Sequence, residues 1–224
     1  MSWRPVVDLL CGRLAPEAAV WLRDGLARAG TGELAVRWSG AARRLGKAPL
    51  RLTAAEIEEL RRGGAPFSPQ GWGADECGRA LLLVAALEQR PAGEHPTLVG
   101  ELYRTGEIRE RQAVLRVLAA LPDPGRFSAL AIDAVRANVL SEIEAIACEN
   151  PYPARHFPEG GFNQMVLKCL FNGIGLRRIV GLDARRTPEL ARMVAALVAE
   201  RRAAGRAVPD DAALILQGGA DAPV

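Results

Sequence analysis

The feature that most constrains this chain is the recurrence of apolar residues at spacings of three and four, between clearly marked helix starts and stops. Thr187-Pro188-Glu189 opens one such segment. Thr can cap the first turn, Pro suits the first helical position, and Glu complements the helix dipole. Leu190, Met193, Val194 and Leu197 then fall on one face, and Gly205 can close the helix in a left-handed turn. Thr53-Ala-Ala-Glu56 spells a capping box, with a helix expected to run to about Arg62 and stop at Gly63-Gly64. The Gly- and Pro-rich segment 63–73 reads as a loop, followed by a longer helix over about 74–90 that Pro91 ends. Val114, Val117, Leu118 and Leu121 make another apolar face. "PDPGR" at 122–126 is a tight connector into a second helix, expected from about Phe127 to Cys148, and the two should form a hairpin. Val and Ile are scattered and form no alternating runs, which argues against a sheet. The expected fold is all-α: an irregular bundle of about 8–11 helices arranged as helical-repeat (HEAT-like) hairpins, although no repeat period is visible. A single domain is expected over 1–218, with a loose tail at 219–224.

Several functions are disfavoured. The net charge is +3, and the Arg residues are dispersed, often beside Glu, with no basic stripe interleaved with aromatics. Nucleic acid is therefore not an expected partner. The longest apolar run, "ALLLVAAL" at 80–87, has eight residues, whereas a membrane span needs about 20. The N-terminus is broken by Asp8, Arg13 and Pro16 and does not resemble a signal peptide, so a cytoplasmic location is expected. Cys11, Cys77, Cys148 and Cys169 are far apart, without C-x-x-C pairs or a nearby His at ligand spacing. They read as reduced thiols that pack as small apolar residues, and no metal or cofactor is expected. No G-x-S-x-G, H-E-x-x-H, Walker A or strand-borne G-x-G-x-x-G motif occurs.

The unusual polar residues lie in the second half. On a continuous helix over 127–148, Phe127, Leu130, Ala131, Ala134, Val135, Val139, Ile143 and Ile146 share one broad side, and Asn138 and Glu142 fall inside it. A carboxylate there needs a partner. In the next helix, Gln164, Lys168 and Asn172 align at i, i+4, i+8, and Lys168 is the only charge in "FNQMVLKCLFNG". Such a strip should face protein groups or a pocket. Pro151, Pro153 and Pro158 stiffen the intervening segment, which could hold Asn150, Tyr152 and His156 over a polar cleft whose walls include Asn138, Glu142, Asn163, Gln164 and Lys168. The alternatives are structural: Asn150 as a turn residue, and a Glu142–Lys168 ion pair that sets helix register.

The stretch "RANVLSEIEAIACENPYPARHFPEGGFNQMVLKCLFNGIGLRRIVGLDARRTPELARMVAAL" resembles the signature of the EboA family. The resemblance is strongest over 136–206, and the combination of "NPYP" with "NQMVLK" is its most specific part. Matching positions are Arg136, Asn138, Glu144, Asn150, Pro151, Tyr152, Pro153, Phe157, Asn163, Gln164, Met165, Lys168, Asp183 and Arg185. Phe162 stands where the pattern has Trp, and Arg201-Arg202 where it has Arg-Trp. The resemblance favours Glu144 over Glu142 as a site residue. It implies a cytoplasmic accessory protein working beside a UbiA-type prenyltransferase, a sugar-phosphate cyclase and TIM-barrel metal enzymes in making or exporting a secondary metabolite. Three readings follow. The first is a protein that binds a small polar or prenylated metabolite, or a pathway enzyme, through Arg136, Asn138, Asn150, Tyr152, Asn163, Gln164, Lys168, Asn172, Asp183 and Arg185. The second is an enzyme using Glu142 or Glu144 with His156 and Lys168 in acid–base chemistry. The third is an interaction scaffold in which the polar cluster only fixes the fold.

Overall fold

The computed structural model describes residues 2–217. Among these the regular elements are thirteen α-helices and five short 3-10 helices, with no strand. The tail expected at 219–224 lies outside the described residues. The helix number exceeds the eight to eleven expected for two reasons. Two five-residue helices, Tyr152–His156 and Ala212–Leu216, were not foreseen, and the long helix expected over 127–148 is two helices. It breaks over Ala137–Val139, where Asn138 takes a φ of 60°. This is a left-handed conformation that Asn tolerates better than most residues. Neither Gly nor Pro marks the break. The chain divides between Phe127 and Ser128 into two compact units.

The first unit contains α1 (Arg4–Cys11), α2 (Pro16–Ala27), α3 (Leu34–Leu45), α4 (Ala54–Arg62), α5 (Ala74–Glu88), α6 (His95–Thr105) and α7 (Ile108–Val117). α5 is its axis. Every residue from Ala74 to Leu87 is buried, with α1, α2, α3 and α7 packed around it. Over 80–87 it is apolar on all sides, and such a helix is stable only in a buried position. The expected capping box forms: Thr53 Oγ1 accepts the Glu56 amide and Glu56 accepts the Thr53 amide at 2.7 Å.

The buried first turn of α5 also carries Asp75, Glu76 and Arg79, which are satisfied from distant parts of the chain. Asp75 pairs with Arg79 at 2.8 Å and with Arg109, whose Nε lies 2.9 Å away. Arg79 also donates to the Trp38 carbonyl at 3.0 Å, and Glu76 accepts the Gly73 amide at 2.6 Å. Arg116 lies 3.6 Å from Glu76 and 5.7 Å over the Trp72 ring. Three carboxylates, those of Asp75, Glu76 and Glu110, balance the guanidinium groups of Arg79, Arg109 and Arg116. Burying these groups is tolerable because each charge meets its opposite.

The second unit contains α8 (Ser128–Arg136), α9 (Leu140–Ala147), α10 (Tyr152–His156), α11 (Glu159–Phe171), α12 (Pro188–Ala203) and α13 (Ala212–Leu216). α11 is central and packs on α8, α9 and α12. Phe162, Met165, Val166, Cys169 and Leu170 supply its buried face. Thr187 caps α12 by accepting the Leu190 amide, and its hydroxyl donates to Glu159 at 2.8 Å, which sets the first turns of α11 and α12 side by side. Gly205 closes α12 at a φ of 64°, with the Arg206 amide returning to the Arg201 carbonyl at 2.8 Å. The closure is the left-handed one expected from the sequence.

Candidate functional site

The second unit holds an open groove of about 900 Å³ bounded by the end of α8, one side of α11 and one side of α12. Its floor is apolar: Leu167 and Phe171 from α11, Met193, Ala196 and Leu197 from α12, and Val135 from α8. Its rim is polar: Arg136, Asn138, Gln164, Lys168, Arg192 and Glu200. Phe171 is 59% exposed, so the floor is open to solvent.

Local sequence explains the floor. The apolar face of α12 is wider than burial requires: Leu190, Val194 and Val198 fill the core, and Met193 and Leu197 are left half-buried at its edge. On α11 the buried face likewise takes Phe162, Met165 and Cys169, leaving Leu167 and Phe171 at the margin. The two surplus stripes, on helices whose starts are joined by Thr187 and Glu159, form one strip.

Four residues singled out in the sequence line this groove: Arg136, Asn138, Gln164 and Lys168. Gln164 and Asn138 are exposed on the rim. Lys168 is half-buried, and its ammonium donates to the carbonyls of Val135 at 2.7 Å and Arg136 at 3.3 Å. The Glu142–Lys168 pair weighed from the sequence is therefore not formed. With the helix broken at Asn138, Lys168 meets the open end of α8 instead, where carbonyls lack helical donors. Asn172, the third member of the strip, turns back onto the Lys168 carbonyl at 2.8 Å and is exposed.

The remaining candidates are placed elsewhere. Glu142 is fully buried on α9, as its apolar neighbours suggested. Glu144 is half-exposed and faces Arg178 at 3.3 Å, which also clamps Glu149. Asn150 is buried and makes an Asx turn: its Oδ1 accepts the Tyr152 amide at 3.0 Å, and its Nδ2 donates to the Ala145 carbonyl at 3.1 Å. Tyr152 is fully buried. Its ring lies 4.8 Å from His156 and edge-on to Phe157, so the proline-stiffened segment plugs the core of this unit. Burial pushes the Tyr152 phenol well above its ordinary range. Burial, and then the charge of Arg155, lowers the pKa of His156.

Arg185 donates to the Ala154 carbonyl at 2.7 Å and to the Phe157 carbonyl at 2.9 Å, and lies 4.7 Å over the Phe162 ring. It thereby ties α10 to the start of α11. Asp183 is exposed and pairs with Arg186. Asn163 is buried, and its Oδ1 accepts no hydrogen bond among the described residues. None of Glu142, Glu144, Asn150, Tyr152, His156, Asn163, Asn172, Asp183 or Arg185 lines the groove. The α12 residues that do, from Arg192 to Glu200, were not singled out as site residues. The signal that could have found them is the excess width of the α12 apolar face.

No group of His, Cys, Asp and Glu among the described residues could hold a metal ion. The four cysteines are buried as free thiols. Burial pushes the Cys169 thiol up to about 12 and raises those of Cys11 and Cys77, which suits apolar packing rather than nucleophilic use. No helix among the described residues is long and apolar enough to cross a membrane.

No curated protein and no solved structure matches the chain. A family model described as metabolite traffic protein EboA matches residues 6–215, which include most of both units, and the chain therefore belongs to the EboA family.

Proposed function

We propose that the protein is a non-catalytic carrier that binds an amphipathic, prenylated metabolite of its pathway in the groove between α8, α11 and α12. The observation that carries this reading is the exposed apolar floor under a polar rim, with Phe171 standing open beside Leu167, Met193 and Leu197. Its volume lies within the range of small-molecule sites, roughly 300–1,000 Å³. Its open form suits uptake and release, which a traffic role requires. The family description supports a role in moving a metabolite.

Acid–base catalysis finds less support. Lys168, the amine on the rim, is held by two carbonyls, and His156 does not line the groove. Neither arrangement offers a free base to a ligand in the groove.

The test is calorimetric titration with farnesol, an uncharged prenyl alcohol. The wild-type protein should bind it, and Ala196→Trp should not. Ala196 is exposed on the floor, so the indole fills the groove without entering the core. Absence of binding to wild type, or equal binding to the variant, contradicts the proposal.

A further inference from the structure

We infer that the occupant of this groove carries an anionic headgroup, a carboxylate or phosphate, recognised by Arg136 and Arg192. The inference rests on the groove being a ligand site and adds the chemistry of what it takes.

The rim contains three cations, Arg136, Lys168 and Arg192, against one carboxylate, Glu200. Neither arginine is committed to the fold. Among the described residues Arg136 is paired only with Asp133, three residues earlier on its own helix, at 3.2 Å, and the two side chains are 76% and 69% exposed. Among the described residues Arg192 pairs with Glu189 alone, also three residues earlier, through two bonds of 2.8 and 2.7 Å, and those side chains are 70% and 49% exposed. Both pairs are open to solvent and screened by it, so a ligand anion can take the place of the carboxylate. A guanidinium presents a planar fork that matches carboxylate and phosphate oxygens.

Lys168 contributes differently. The end of a helix exposes carbonyls and the negative end of its dipole, which would repel an anion. Here that end is α8, at the groove's edge, and the Lys168 ammonium covers its Val135 and Arg136 carbonyls. The negative terminus is thus masked and one positive charge is added. The apolar floor sets the rest of the ligand: a hydrocarbon body lying along Leu167, Met193 and Leu197. Glu200 stands farther along α12 than Arg192, on the C-terminal side of the floor. An anion is therefore expected nearer Arg192, toward the N-terminal side of α12.

The experiment compares farnesol, farnesoic acid and farnesyl phosphate on the wild type, on Ala196→Trp and on the double variant Arg136→Gln/Arg192→Gln. Both substituted arginines are exposed, so the double variant should fold. At low salt at least one anion should bind about tenfold more tightly than farnesol, with the advantage shrinking as salt rises. The double variant should lose most of that advantage, with Lys168 supplying the remainder, and its farnesol affinity should change far less. The acid and phosphate arms show which anion is preferred. Equal affinity for all three probes in the wild type overturns the inference while leaving the groove reading intact, as does an advantage that survives undiminished in the double variant. Failure of every probe to bind, or equal binding by Ala196→Trp, overturns the groove reading itself.

Discussion

The ammonium of Lys168 stands 2.7 Å from the carbonyl oxygen of Val135, so a side chain of α11 closes the end of α8. This contact links stability to the site, because the same lysine is part of the groove's rim. Lys168→Met keeps the length of the side chain and removes the donor. It should lower stability by about 1–2 kcal/mol, the scale of a charge-assisted hydrogen bond at a half-buried position. Urea denaturation should show a lower midpoint with an unchanged slope. An unchanged midpoint would mean that water satisfies the α8 carbonyls equally well.

Asn150 belongs to the fold rather than to the groove. Its amide bridges the Ala145 carbonyl and the Tyr152 amide, both inside the protein. Asn150→Ala should cost about 2 kcal/mol or more, because buried partners are left without a bond. Farnesol affinity should be unchanged under conditions where the variant is folded. A selective loss of binding without a loss of stability would return Asn150 to the binding site.

The ion network at the start of α5 should make the first unit intolerant of single charge removal. Asp75 is fully buried between Arg79 and Arg109. Arg79→Met leaves that carboxylate short of a partner and should cost about 3–5 kcal/mol. Burial alone would raise the Asp75 pKa, but hydrogen bonds and charge from Arg109 and Arg79 outweigh it and hold the value below the ordinary 3.8. A depressed pKa in the folded state adds stability above the unfolded value, and that stability is lost as pH falls through the folded value. The Asp75 contribution should therefore persist at pH 4 and fade only below the ordinary carboxylate range. Acid titration followed by circular dichroism on wild type and Asp75→Asn checks this, since the variant should lose that part of the pH dependence.

Glu56 offers a second, site-resolved pH test. The Thr53 amide, and then Arg13 and the Thr53 hydroxyl, lower its pKa from 4.5 to about 2. Its contribution should be complete above pH 4.5 and lost as pH falls toward 2. Carboxyl-carbon NMR should find Glu56 titrating near 2 in wild type and higher in Arg13→Gln, though still below its ordinary value because the Thr53 amide bond remains. A wild-type value near 4.5 would show that the capping box does not persist in solution.

Much of the fold could be read from local signals. Thr53, Thr187 and Gly205 do at their helix ends what their residue types suggest, because capping depends on neighbours within one turn. The break at Asn138 was not legible, since a left-handed Asn carries no mark that separates it from a helical one. The α5 network was hidden for another reason. Asp75 and Glu76 look like ordinary first-turn acids, and their partners Arg109 and Arg116 lie more than thirty residues away.

Of the site, Gln164 and Lys168 were visible because a sparse polar strip on an apolar helix is unusual, Asn138 because it fell inside an apolar side, and Arg136 only through the family pattern. Met193 and Leu197 stand out only as members of an apolar face, because helical periodicity cannot tell a buried stripe from one left at a margin. Tyr152 and Arg185 matched the family pattern, but pattern alone does not separate residues that hold a site from residues that hold the fold.

The most direct test is methyl NMR during titration with farnesol. The methyl signals of Met193, Leu167 and Leu197 should move together, saturably, while those of Leu9 and Leu60, which line a separate hollow of about 720 Å³ in the first unit, stay fixed. Shifts at Leu9 and Leu60 with none at Met193, or no saturable shift anywhere, would contradict a binding groove formed by α8, α11 and α12.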